Sequence, residues 1–280
     1  MPVSENLQRL ISVSAPFWAG EAEVARTYWD SPVRTVQSDM DWLRRQCIKE
    51  FNGTGAGDYK NLGILLGPAV QVQEQFDEID RGLDRHELLE VLEVMHDEFS
   101  HYVLFADIYD AIRPEDVPPI NPGQFEAWQE EDEFRATRHR HLAKHGTVGL
   151  RASQFTEGGY CTLYREGMNL KGRGGTDEMI ATACTQVYED EFGHMLTGIV
   201  GIDDEGWSDG EFVLLEKLVV EQLKQRIPGR NVQFSNPLSD DRVAAIISGD
   251  IEPLAFDYQE AERRIAEQRA AAKPDASYRP

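Results

Sequence analysis

Two short stretches decide how this chain is read: His96-Asp97-Glu98-Phe99-Ser100-His101 and Glu189-Asp190-Glu191-Phe192-Gly193-His194. Both run Asp-Glu-Phe, a small residue, then His, and so place a Glu and a His three positions apart. On an α-helix that spacing stacks the two side chains one turn apart on a single face. One such match is weak in a chain this rich in acidic residues. A third match, Glu93-x-x-His96, provides an internal control. At about 100° per residue, Glu93 falls about 140° from Glu98.

The apolar stripes separate the three pairs. Val91, Val94, Met95 and Tyr102 form a stripe that takes in Glu98 and has His101 at its edge, while Glu93 lies outside. Glu93 and His96 therefore read as a solvated pair. In the second stretch, Ile180, Cys184, Val187, Tyr188 and Met195 form a stripe with Glu191 and His194 in its middle, and Glu189 and Asp190 point away. An ionised carboxylate in an apolar stripe is costly to bury without a partner, and a metal ion is the natural one. The plainer alternative, a hydrogen-bonded Glu–His pair, would have to occur twice. Two Glu-x-x-His helices plus one Glu from each of two more helices form a di-metal carboxylate site in a bundle.

Glu157 supplies a third-helix candidate, on one face with Leu150, Tyr160, Cys161, Tyr164 and Met168. A hairpin turning at the Gly-rich loop near 172 sets it level with Glu191. The first helix is less clear. A turn near 82 puts the mate of Glu98 at about residue 66, where Leu65-Leu66-Gly67-Pro68-Ala69 has no carboxylate. Glu74 is displaced by about 12 Å along the axis and faces away from the stripe. Glu50 shares a stripe with Val36, Met40, Leu43 and Cys47, but using it makes the 61–80 segment an insertion. Glu74 and Glu50 both stay open, as does a site with five ligands.

Helical periodicity dominates and no alternating strand stands out. Asp84 through Glu87 reads as a helix start, with the helix ending at Arg113-Pro114. Asn121-Pro122 opens another that Gly146 closes. A third covers roughly 149–169, and Thr176 begins a fourth that runs to about 201. Ser208-Asp-Gly-Glu211 is a capping box for a helix to about 227. Shorter helices are expected at 33–51, 61–80, 239–248 and 258–272. No linker divides residues 1–280, which reads as one helical domain. Its bundle core covers about 60–201, with the 1–55 and 208–272 helices packed around it.

The formal charge of −22 argues against nucleic-acid binding, which needs a basic footprint. No run approaches the roughly 18 apolar residues of a membrane span, and no signal peptide is seen. Cys47, Cys161 and Cys184 have no CxxC spacing, and a reducing cytoplasm fits them. The basic stretch from Arg135 to His145 reads as a solvated helix face, with an anion contact as the alternative.

The order Glu-x-x-His, Glu, Glu-x-x-His over about residues 60–200 resembles the ferritin-like superfamily of di-iron and di-manganese carboxylate proteins. The resemblance implies an all-α, ferritin-like four-helix bundle with peripheral helices. Its metal ligands would be Glu98, His101, Glu157, Glu191 and His194. It implies two iron ions, with manganese as the alternative, and O2 chemistry on a small organic substrate: hydroxylation, N-oxygenation or desaturation. A separate reductase or ferredoxin would supply electrons, since no flavin, Rossmann or Cys-cluster motif is present, and a homodimer fits the pattern. The Val187 position departs from the arylamine N-oxygenases, which carry a His there. A ferroxidase, metal store or peroxide scavenger is the second expectation, and a non-catalytic partner subunit the third.

Overall fold

In the computed structural model, residues 3–52, 66–79, 81–82 and 84–271 are described. They form helices and connecting turns, with no strand among the described residues. The long helices are α1 (Glu5–Trp29), α2 (Val36–Asn52), α4 (Arg85–Ile112), α5 (Gln129–Phe155), α7 (Gly175–Val200) and α8 (Asp209–Gln233). Shorter ones are α3 (Leu66–Gln75), α6 (Thr162–Met168), α9 (Asp240–Ile247) and α10 (Tyr258–Ala271).

Local chemistry sets most of the starts. Asp84 accepts from the His86 amide at the head of α4. Ser208 and Glu211 close the expected capping box at the head of α8, satisfying amides that the first turn leaves unpaired. Several ends depart from expectation. The α8 helix continues through Pro228 to Gln233 instead of stopping near 227. A proline inside a helix costs ~3 kcal/mol; here the last turn buries Ile227, Arg230, Asn231 and Gln233, which offsets it. The α1 helix likewise runs on through Pro16, with Leu10, Ile11, Phe17, Trp18 and Ala22 packed into the core.

Gly146 kinks α5 but does not end it. Its φ of 52° and ψ of −124° bend the chain, and the helical path resumes. Three residues on, a Cβ at Gly149 would stand 2.1 Å from the His141 carbonyl oxygen, so the bend closes only around a glycine. The helix expected over 149–169 is therefore two pieces. Between α5 and α6 lies a 3-10 turn, Glu157–Cys161. Gly159, Tyr160 and Cys161 all have positive φ there.

The α4 helix lies between α2 and α7; α6 packs on α7, α1 on α6 and α8, and α5 along α8. The core is dense in rings. Trp29, Trp42 and Phe234 meet with centroids 5.3–5.9 Å apart, within the 4.5–7 Å range at which aromatic pairs attract. All three cysteines are buried and unpaired. Among the described residues no helix is long and apolar enough to cross a membrane.

Candidate metal centre

Helix pairing brings the acids and imidazole together. The α2 helix, not α3, is the long neighbour of α4, and it carries Glu50 to Glu98 and His101. One potential ligand atom from each of these three residues lies within 4.8 Å of the others. His101 is fully buried, Glu50 nearly so and Glu98 partly. The α7 helix approaches from the other side. Asp190 Oδ2 is 3.3 Å from His101 Nε2, and Glu191 Oε1 is 3.4 Å from His101 Nδ1.

Glu50 is held from behind. The Tyr164 hydroxyl on α6 donates to its Oε1 at 2.7 Å, and Gln46 Nε2, one turn earlier on α2, donates to the same oxygen. Burial, and then the Glu50 charge, push the Tyr164 phenol well above its ordinary range. It therefore stays a proton donor. Burial and the Glu50 charge push the Cys47 thiol well up in the same way.

No model of a known protein family, no curated protein and no solved structure matches the chain. His101 Nδ1 is buried and makes no hydrogen bond. Leaving such an atom unpaired costs about 1–3 kcal/mol, and a cation between it and the neighbouring carboxylates would satisfy it. Oxygen-rich donors with one imidazole suit iron or manganese better than zinc in a thiolate site. The donor set and the orphaned nitrogen both fit a divalent cation.

The expected residues fall out unevenly. Glu98, His101 and Glu191 converge. Glu157 opens the 3-10 turn and His194 lies in α7; their side chains are outside the described residues. Of the two open first-helix candidates, Glu74 is exposed on α3 and Glu50 joins the cluster. The α3 helix does lie against α4, as the expected hairpin requires, but it is α2 that brings a carboxylate to Glu98 and His101; residues 61–65 lie outside the described ones. The α2 helix packs on α4 because its stripe of Met40, Leu43 and Cys47 is the one buried. Glu93 and His96 are exposed as expected, although the ring that was paired with Glu93 lies beside Asp97, with His96 Nδ1 3.1 Å from Asp97 Oδ1.

Asp190 corrects the reading of α7. It was expected to point away with Glu189. Glu189 is exposed, but Asp190 reaches His101. Asp190 and Glu191 lie about 100° apart on the helix, and the His101 ring sits between them. The overlooked signal is that Asp190 stands four positions before His194, a same-face spacing.

The basic stretch is a second correction, because Arg138 and His141 within it are interior. Arg138 is buried, donates to the Ser153 carbonyl and Thr156 Oγ1, and lies over the Phe134 ring. His141 is buried between Gln222 and Glu221 of α8. Burial outweighs the Glu221 charge and lowers the His141 pKa. Amphipathic spacing alone cannot show that α8 covers this face.

Proposed function

We propose that the chain is a ferritin-like di-metal carboxylate protein that activates O2 to oxidise a small organic substrate. The observation that carries this reading is the buried Glu50–Glu98–His101 cluster, with Glu191 beside an imidazole nitrogen that makes no hydrogen bond. Glu50, Glu98, His101 and Glu191 would hold the metal, with Glu157 and His194 completing the set that the sequence spacing suggests. Iron bound there would supply the electrons that reduce O2.

The chain's own groups set the conditions. Glu50 stays oriented because two donors fill one of its oxygens. Tyr164 keeps its proton, so its hydroxyl holds a hydrogen bond to Glu50 and brings no further negative charge to the site. Leu196, Phe192 and Ile199 of α7 are buried, which keeps the inner face of that helix dry. Such a setting makes each charge interaction stronger than it would be in water.

The test is anaerobic loading with Fe(II), metal analysis, and then mixing with O2 while recording visible absorption. Glu50→Ala and His101→Ala should reduce bound iron well below the wild-type level, and Glu93→Ala should leave it unchanged. A transient absorption that decays faster with an added organic molecule supports the oxygenase reading. Iron uptake far beyond two ions per chain would instead make the protein a metal store. Equal iron in all three variants would remove the basis for the site.

A further inference from the structure

Behind Glu50 runs an unbroken line of buried side chains that ends on a charge cluster. Gln46 Nε2 donates to Glu50 Oε1 at 2.5 Å, and Gln233 Nε2 donates to Gln46 Oε1 at 2.7 Å. Arg230 Nη1 donates to Gln233 Oε1 at 2.6 Å. The other side of the Arg230 guanidinium faces Glu21 Oε2, through Nε and Nη2 at 3.2 Å each. Arg226 takes both Glu21 oxygens, at 2.7 and 2.8 Å. Gln46, Gln233, Glu21, Arg226 and Arg230 are all buried, so water does not break the line.

We propose that Arg230, acting through Gln233 and Gln46, fixes which oxygen Glu50 offers to a metal ion. This rests on the metal-site reading above. Hydrogen-bond chemistry sets the direction of the line. A guanidinium has donors and no acceptor. Gln233 must therefore turn its carbonyl to Arg230, which leaves its amide nitrogen for Gln46. Gln46 must accept from Gln233 with its own carbonyl, which leaves its amide nitrogen for Glu50. Neither amide can flip without setting two acceptors or two donors face to face.

At the far end, Glu50 Oε1 receives both Gln46 and Tyr164. Among the described residues no donor is found on Oε2. Oε2 is therefore the oxygen left to face a metal ion, in a carboxylate that has an oxygen within 4.8 Å of ligand atoms of Glu98 and His101. Gln46, Gln233 and Arg230 are then positioning residues: they touch no substrate and act through Glu50. Outer-shell partners of this kind change metal affinity by about 10–100-fold when replaced.

Gln233→Glu tests the idea two links from the site. A carboxylate there still pairs with Arg230 but has no proton to donate to Gln46. The Gln46 amide then turns its nitrogen toward residue 233 and its carbonyl toward Glu50. The probe is Mn(II), titrated into full-length protein and read from the free-ion magnetic resonance signal, with the metal-free melting temperature measured alongside. Gln233→Glu and Gln46→Leu should each weaken Mn(II) binding by about 10-fold or more. The double variant should lose little beyond the larger single loss, because both changes break one line. A merely structural role would lower the melting temperature and leave Mn(II) affinity alone; that result overturns the proposal. So do fully additive losses. Glu50→Ala is the reference. If it loses Mn(II) while Gln233→Glu does not, the relay is wrong and the site stands. If Glu50→Ala binds like wild type, site and relay fall together.

Discussion

Glu50→Gln should move the metal-free and metal-bound proteins in opposite directions. The ligand atoms of Glu50 and Glu98 lie within 4.8 Å of each other. Two carboxylates at that distance repel by about 3.5 kcal/mol at an effective dielectric constant of about 20. Glu98 is partly exposed, so water reduces this to roughly 1.5–2 kcal/mol. The Gln side chain has the same shape, and its Oε1 still accepts from Gln46 and Tyr164. Its amide nitrogen takes the place of the second oxygen and carries no charge. For 280 residues the unfolding entropy is about 0.6 kcal/mol/K. The metal-free variant should therefore melt about 3 °C above wild type. Metal reverses the order. Wild type at a cation concentration about 100 times Kd gains about 2.7 kcal/mol, or about 4–5 °C, and the variant gains little. Scanning calorimetry of chelator-treated protein, with and without Mn(II), reads both effects. A metal-free variant that melts below wild type and keeps the full metal-induced shift would refute the idea that Glu50 and Glu98 share a cation.

Glu21→Ala should cost about 3–5 kcal/mol in urea unfolding, because it removes the carboxylate that faces both Arg226 and Arg230, whose side chains are only 5% and 8% exposed. A loss under about 1 kcal/mol would mean that water reaches the cluster. Burial lowers the Lys49 pKa to about 8 against the attraction of Glu131, from an ordinary 10.5. The unfolded chain then holds this proton over a window where the folded chain has released it, so this group makes stability rise between about pH 8 and 10.5. The rise is about 1.4 kcal/mol per unit. Comparing wild type with Lys49→Met across that window isolates it, and parallel curves would show that Lys49 titrates normally. Burial, before any charge effect, pushes the thiols of Cys47, Cys161 and Cys184 well up. A thiol reagent at pH 8 should label none of them in the native protein and all three in denaturant. Rapid labelling of a native thiol would contradict the burial.

Much of the all-helical character lies in local chemistry that the order of residues displays. The Asp84 cap, the Ser208–Glu211 box and the apolar stripe around Glu191 depend on neighbours within a turn or two, and each appears in the folded chain. The contrast between Glu98–His101 and Glu93–His96 was legible for the same reason, since helical phase separates a face turned inward from one turned to water. The choice between Glu50 and Glu74 was not legible. Each sits on a helix, and which helix lies against α4 depends on how whole stripes pack across some 50 residues of chain. Asp190 was misread because spacing gives the angle of a side chain but not the place of the ring it meets. The α8 helix runs past its expected end near 227 for a similar reason: the local cost of Pro228, ~3 kcal/mol, is overridden by core burial that no short window contains. Local residue order thus determined the helices and the acid–imidazole pairs they carry. Only tertiary packing decided that α2 completes the cluster, and that Arg230, far from Glu50 in sequence, stands at the end of its hydrogen-bond line, because burial and pairing are properties of surfaces that meet only in the folded chain.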